Sequence, residues 1–207
     1  MDALDTFDVL AFFAFVAKLK ETARAGWNMK FPNGSPLCSR RVPNAESVGD
    51  HSYGLLMLAM VLAERLCVDR LKFMMMAALH DLAESVPPGD VVVWHEPVED
   101  QPRLRAEKKA REDEAMKVIC VTLGKGGAEY LALWKEYRAQ ETPEARLIKE
   151  LDLLEVAHQA VRYFAQGHSL NPHEFLNNVR KGISHPVIRE LFVRLEEDLR
   201  VREARKS

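Results

Sequence analysis

Residues 74–84, MMMAALHDLAE, form the stretch whose reading decides the fold. Leu71, Met74, Met75, Ala78, Leu79 and Leu82 recur at the three-and-four spacing that lays one apolar stripe of a helix against a core. The stripe predicts a buried helix from Asp69 to about Ser85. His80 and Asp81 stand at its end, where burying an imidazole and a carboxylate is costly unless something binds them, and a divalent metal ion would satisfy both. Glu84 follows four residues on, one helical turn from His80. Pro87-Pro88-Gly89 then stops the helix, so the charged cluster is expected at a rim. Taken alone, His80-Asp81 is also compatible with chance in a chain of seven histidines. Adjacent helical residues point about 100° apart and do not obviously share a target. Other ligands at helical positions have to decide the matter.

Upstream, Ser47 and Asp50 have the spacing of a helix-capping pair, opening a helix that carries Leu55, Leu58, Leu62 and Leu66. His51 falls in its first turn. Before it runs an irregular stretch, GWNMKFPNGSPLCSRRVPNAE (residues 26–46), with three prolines and two glycines. A loop this long either carries binding residues or is a tolerated surface excursion. The first helix is expected from about Thr6 to Arg24, with Phe7, Leu10, Phe13 and Leu19 among its buried side.

Downstream, Asp90 follows the break, and Val91-Val92-Val93-Trp94 leads into a loop around His95. Pro102 to Leu123 reads as a long helix whose charged first half (RLRAEKKAREDEAMK) has the look of a solvated face. Gly124, Gly126 and Gly127 end it, and Ala128 to Gln140 is a further helix. Thr142-Pro143-Glu144 is a strong helix start, with a capping residue, a proline at the first position and an acid in the first turn. The helix it opens runs to about Gln166, and Asp152 lies against its apolar side of Ile148, Leu151, Leu154, Ala157 and Val161. A mid-helix aspartate there is either ion-paired with a buried arginine or a metal ligand. Asn171 to Ser207 reads as two helices and a charged, frayed tail. His158, His168, His173 and His185 lack ligand-like spacing.

Composition bounds the rest. A chain of 207 residues, 47% hydrophobic, with a net charge of −2, fits one domain rather than an electrostatic binder of nucleic acid or membrane. No apolar run approaches the ~20 residues of a membrane span. The apolar N-terminal segment opens with Asp2, Asp5 and Asp8 where a signal peptide would carry positive charge. Cys38, Cys67 and Cys120 are odd in number and form no CxxC pair, as in a reducing, cytoplasmic setting.

The order His51, His80-Asp81, Asp152, with ESVGDH at 46–51 and HDLAE at 80–84, resembles the HD-domain metal-dependent phosphohydrolases, and among them the 5'-deoxynucleotidase subgroup. The similarity runs from roughly Leu19 through Gly167 and takes in Gly26-Trp27, Gly89-Asp90 and Lys149-Glu150-Leu151-Asp152. It implies an all-α helical bundle, one HD domain over 1–207 with its core at about 6–190 and a metal site between helices. The implied reaction is hydrolysis of deoxyribonucleoside 5'-monophosphates to deoxyribonucleoside and phosphate. His51, His80, Asp81 and Asp152 are the implied ligands of one divalent ion (Mn, Co, Fe, Zn or Mg). Glu84 and Asp90 are the implied catalytic carboxylates, Arg24 the phosphate partner, and Trp27 the wall against the sugar, or else an interfacial plug. Relatives are dimeric, and the apolar first helix is the expected contact. After Gly89-Asp90 many relatives carry a proline-containing loop where this chain has VVVWH, and Pro87-Pro88 suggests a local insertion. Alternatives on the same residues are a deoxynucleoside triphosphohydrolase or other nucleotide phosphohydrolase, and a silent nucleotide-binding scaffold.

Overall fold

The helix opened by Thr142 becomes the axis of the molecule. In the computed structural model, which describes residues 7–28, 42–93 and 96–205, it is α6 (Pro143–Ala165), and the Thr142 side chain accepts a hydrogen bond from the Ala145 N–H. Around it pack α2 (Val48–Leu62), α3 (Arg70–Leu79), α5 (Gly127–Ala139), α7 (Pro172–Gly182) and α8 (Pro186–Ala204). Ile148, Leu151 and Leu154 of α6 meet Leu55 and Leu62 of α2, Phe73 and Met76 of α3, and Ile188 and Phe192 of α8 in one apolar core. A second cluster, with Leu19, Met116, Ile119 and Trp134, covers the turn after α3 from the side of α1 (Val9–Leu19) and α4 (Gln101–Val121). Among the described residues there is no strand, only an isolated antiparallel bridge between Ala23 and Ser47, so the fold is all-α.

Four expectations shift. The helix bearing the HD pair ends at Leu79, and residues Leu82–Ser85 form a separate 3₁₀ turn, so Glu84 does not share an α-helical face with His80. Its buried stripe is Phe73, Met76, Ala77 and Leu79, while Leu71 and Ala78 face solvent. The run LKFMMMAAL is apolar on most sides, so spacing alone could not fix the phase. Helix α1 begins only at Val9, capped by Asp8, and buries Leu19 with Phe12, Phe15 and Val16 against the second cluster. Of the residues expected on its buried side only Leu19 is buried; Phe7, Leu10 and Phe13 are 60%, 78% and 55% exposed. Finally, α8 carries regular structure to Ala204 with Leu195 and Leu199 in the core, so packing extends past residue 190. The tail's charge decorates the outer side of a packed helix.

Capping at the start of α2 is reciprocal: Ser47 Oγ accepts from the Asp50 N–H at 3.1 Å, and Asp50 Oδ2 accepts from the Ser47 N–H at 2.8 Å. This cap sets the first turn that holds His51. Ser47→Ala is expected to cost ~0.5–2 kcal/mol, read as a lowered urea midpoint with an unchanged slope.

Candidate metal centre

Three chain segments deliver the HD residues to one point. His51 projects from the first turn of α2 and is wholly buried. His80 lies one residue past α3 and extends the buried line of Phe73, Met76 and Ala77. Asp81 leaves helical geometry, with φ −112° and ψ 12°, which turns its carboxylate back over His80. Asp152 comes from the middle of α6 and is nine-tenths buried.

His51 Nε2 and His80 Nε2 are 3.2 Å apart. Asp81 Oδ2 lies 3.0 Å from His80 Nε2 and 3.7 Å from His51 Nε2, and Asp152 Oδ1 lies 3.3 Å from His51 Nε2. The other ring nitrogens are already committed: His80 Nδ1 donates to the Ala77 carbonyl at 2.8 Å, and His51 Nδ1 lies 2.5 Å from Glu155 Oε2. In their neutral forms both histidines therefore turn a lone pair toward the other, beside two carboxylate oxygens. Four acceptors converging this closely repel unless a cation lies among them. Ligands ~2.1 Å from one ion and at right angles are themselves about 3.0 Å apart, close to these separations. His51, His80 and Asp81 can hold a metal ion, each offering an atom within 4.8 Å of the others'. Asp152 joins them from the His51 side.

Without an ion, protons must do this work. Burial and Arg24 oppose a charge on His51, but Asp152 and Glu155 outweigh them and its pKa is raised to about 10. Burial would raise the Asp81 and Asp152 carboxyls, yet His80 and Arg24 around the first, and Lys149 and His51 around the second, hold both below the usual carboxylate range. Arg24 donates to Asp81 Oδ2 at 3.1 Å, and Lys149 Nζ donates to Asp152 Oδ2 at 2.7 Å. The partner of Asp152 outside the cluster is thus a lysine one turn back on its own helix, not an arginine.

The centre opens into a cleft of about 650 Å³ bounded by Arg24, Trp27, Asp81, Glu84, Asp90 and Asp152, with Lys108 and Phe175 on its walls. Glu84 Oε1 accepts from Lys108 Nζ at 3.1 Å, while its Oε2 is buried without a hydrogen-bond partner. Burial, then Asp81 and Asp90, push the Glu84 pKa well up, and Lys108 only partly offsets them. Asp90 follows Gly89, whose φ of +81° suits glycine, and Asp90 Oδ2 accepts from the Ala25 N–H at 2.9 Å. Trp27 is 2% exposed: it stacks on Phe175 with centroids 4.9 Å apart, meets Tyr163 edge-on, and donates from Nε1 to Glu46 Oε1 at 2.9 Å. It bounds the cleft as a firmly packed residue rather than a free ring.

The structure therefore brings Asp81, Asp152, Glu84, Asp90, Arg24 and Trp27 to one cleft, with His51 and His80 buried against Asp81 and Asp152. Trp94 and His95, and most of the irregular stretch before α2 (residues 29–41), lie outside the described residues. Sequence reasoning passed over Lys108, which sits inside the run read as a solvated face yet reaches Glu84, the Val91 carbonyl at 3.0 Å and Asp90 at 3.7 Å. It also passed over Glu155. The available signal was a glutamate four residues after Leu151 on the apolar side of α6.

A family model described as HD domain matches residues 16–195. The chain is 34% identical over 193 residues to 5'-deoxynucleotidase HDDC2 of Danio rerio, covering 92% of this chain and 88% of that protein. It is 31% identical over 200 residues to 5'-deoxynucleotidase HDDC2 of Dictyostelium discoideum, covering 91% and 97%. Among solved structures, a conserved hypothetical protein from Pyrococcus furiosus superposes with a TM-score of 0.62 at 29% identity, covering 92% of this chain and 98% of that one.

Proposed function

Because this chain belongs to the HD-domain family, we propose that it is a metal-dependent 5'-deoxynucleotidase, hydrolysing deoxyribonucleoside 5'-monophosphates to deoxyribonucleoside and phosphate. The observation that carries this reading is the cluster of His51, His80 and Asp81, which could hold a metal ion, with Asp152 beside His51 and a buried carboxylate with one unpartnered oxygen in the adjoining cleft. Two relatives that the chain matches over most of their length bear the name 5'-deoxynucleotidase. The ligand set would be His51, His80, Asp81 and Asp152. Two nitrogens and two carboxylate oxygens suit Mn, Co, Fe or Zn, with Mg less well matched.

A divalent ion held there supplies Lewis acidity, drawing charge from a phosphoryl oxygen and making water a stronger acid. The chain's own groups do the rest. Glu84 takes a proton from the attacking water at Oε2, the oxygen that Lys108 leaves free. Lys108 keeps Oε1 fixed and leaves this second oxygen without a partner. Asp90, on the other side of Lys108, serves the leaving 5'-oxygen. Arg24 spends one N–H on Asp81 and has others to offer the phosphate. Trp27 and Phe175 set the width available to the sugar. We further read residues 1–207 as a single domain acting as a cytoplasmic homodimer with one ion per chain. No helix among the described residues is long and apolar enough to cross a membrane.

The test is kcat/KM for dAMP, AMP, dGMP and GMP with Mn, Co and Mg. Deoxyribonucleotides should be preferred, by ~10–200-fold if shape alone excludes the 2'-hydroxyl. Trp27→Phe should narrow that ratio, whereas Arg24→Ala should weaken both sugar classes together. Phenylalanine is the better probe because Trp27→Ala would cost ~3–5 kcal/mol in stability. An unchanged ratio in Trp27→Phe takes this residue out of sugar selection. Arg105, Lys109 and Arg138 also border the cleft and would suit a longer phosphate chain, which is the second reading. Release of tripolyphosphate from a dNTP, in place of orthophosphate from a dNMP, would favour it.

A further inference from the structure

Behind the metal centre, on the far side of His51, lies a second cleft of about 880 Å³ between α2, α6 and α8. One side chain links this cleft to the metal centre. Glu155 projects from α6 and borders the second cleft, yet its Oε2 lies 2.5 Å from His51 Nδ1. The His51 ring is wholly buried, and a carboxylate this close to Nδ1 favours the tautomer that carries its proton there. With that proton held, Nε2 is the nitrogen left to face His80 and Asp152.

Space for this arrangement is provided from α2. A Cβ added at Gly54 would lie 3.0 Å from Glu155 Oε1 and 3.5 Å from its Cδ and Cγ. Such a contact is tighter than packing tolerates without movement, and the other oxygen is tied to His51. Glycine at 54 is one helical turn from Asp50 and three residues from His51, so α2 supplies both the ligand and the gap that its supporting carboxylate needs.

We propose that Glu155 is a positioning residue for metal binding, holding His51 in the tautomer and orientation that present Nε2 to the ion, with Gly54 keeping the carboxylate's seat open. The proposal rests on the ligand set given above. Outer-sphere partners of this kind are typically worth ~10–100-fold in metal affinity.

The measurement is Mn(II) affinity by electron paramagnetic resonance titration of the free ion, on the full chain and without substrate. Glu155→Ala should weaken Mn(II) binding by ~10–100-fold. Because the second cleft is open to solutes at this point, formate in the buffer should restore much of the loss in Glu155→Ala and do nothing for wild type. Glu155→Gln keeps an acceptor without the charge and should fall between wild type and alanine. Gly54→Ala should weaken binding with every ligand still present, and it decides the matter if Glu155→Ala fails to fold. Glu155 variants that bind Mn(II) within about twofold of wild type overturn the proposal. So does a loss in Glu155→Ala that formate leaves untouched, since that is a packing defect. Wild type that takes up no Mn(II) instead overturns the ligand set itself, which separates the two failures.

Discussion

Removal of the metal ion should abolish hydrolysis, and His80→Ala or Asp81→Ala should lose ion and activity together. Both side chains face the same point: His80 Nε2 and Asp81 Oδ2 are 3.0 Å apart, and His80 Nδ1 is already spent on the Ala77 carbonyl. Neither can be replaced by a neighbour without unwinding the end of α3. Charge stabilisation by a bound ion is worth several kcal/mol, which at about 1.4 kcal/mol per tenfold predicts a fall of ~10³-fold or more. The checks are metal content by emission spectroscopy and turnover of a dNMP before and after chelation, then after return of Mn or Co. Activity that survives exhaustive chelation would end the metal-dependent reading.

The same site fixes a pH dependence. In the metal-free protein the His51 pKa stands at about 10, above its ordinary value of 6.5. A histidine raised in this way contributes stability that is fully present below about 6.5 and is lost as pH climbs through about 10. An ion entering the site has to displace that proton, so apparent metal affinity should strengthen as pH rises across this window. A competition titration with a chromogenic chelator between about pH 6.5 and 9 reads the slope.

Much of this centre was legible because its residues break local rules. A histidine and an aspartate at the end of an apolar stripe, and an aspartate inside the apolar side of α6, are costly placements that call for a partner. Capping at Ser47 and Thr142 was legible for the opposite reason, since those residues obey strong local rules. What spacing could not decide was phase in helices that are apolar all round. In α1, VLAFFAFVAKL offers an apolar residue in every direction, so only tertiary packing chose Phe12, Phe15 and Val16 over Leu10 and Phe13 as the companions of Leu19. The end of α3 was hidden for a related reason. His80 keeps helical dihedrals and the departure happens at Asp81, which has neither proline nor glycine to announce it. Lys108 was invisible because one lysine among many charges carries no mark of the single contact that matters. Its ammonium reaches Glu84 across a long loop, and no periodicity encodes that pairing.

That pairing leads to the second large effect. Glu84→Gln should leave the ion in place and lower turnover by ~10²–10⁴-fold, or ~3–5 kcal/mol in the barrier. Glu84 accepts from Lys108, and its second oxygen is buried and unpaired. Such an oxygen suits a group that accepts a proton during the reaction, and burial beside Asp81 and Asp90 makes that acceptance easier by raising the pKa. Glutamine keeps the size and can still accept from Lys108, but it has no proton-accepting oxygen to offer, so the loss should fall on kcat while KM changes little. Lys108→Met separates the two halves of the argument. It frees Glu84 Oε1 without removing the base, and should therefore cost less than Glu84→Gln. Metal content, kcat and KM measured side by side decide between roles. If Glu84→Gln loses the ion as completely as His80→Ala, Glu84 is a ligand and the base must be Asp90 or a group from the loops around the cleft. If Glu84→Gln keeps both ion and full turnover, proton removal from water is not what limits this enzyme, and the buried charge of Glu84 serves Lys108 instead.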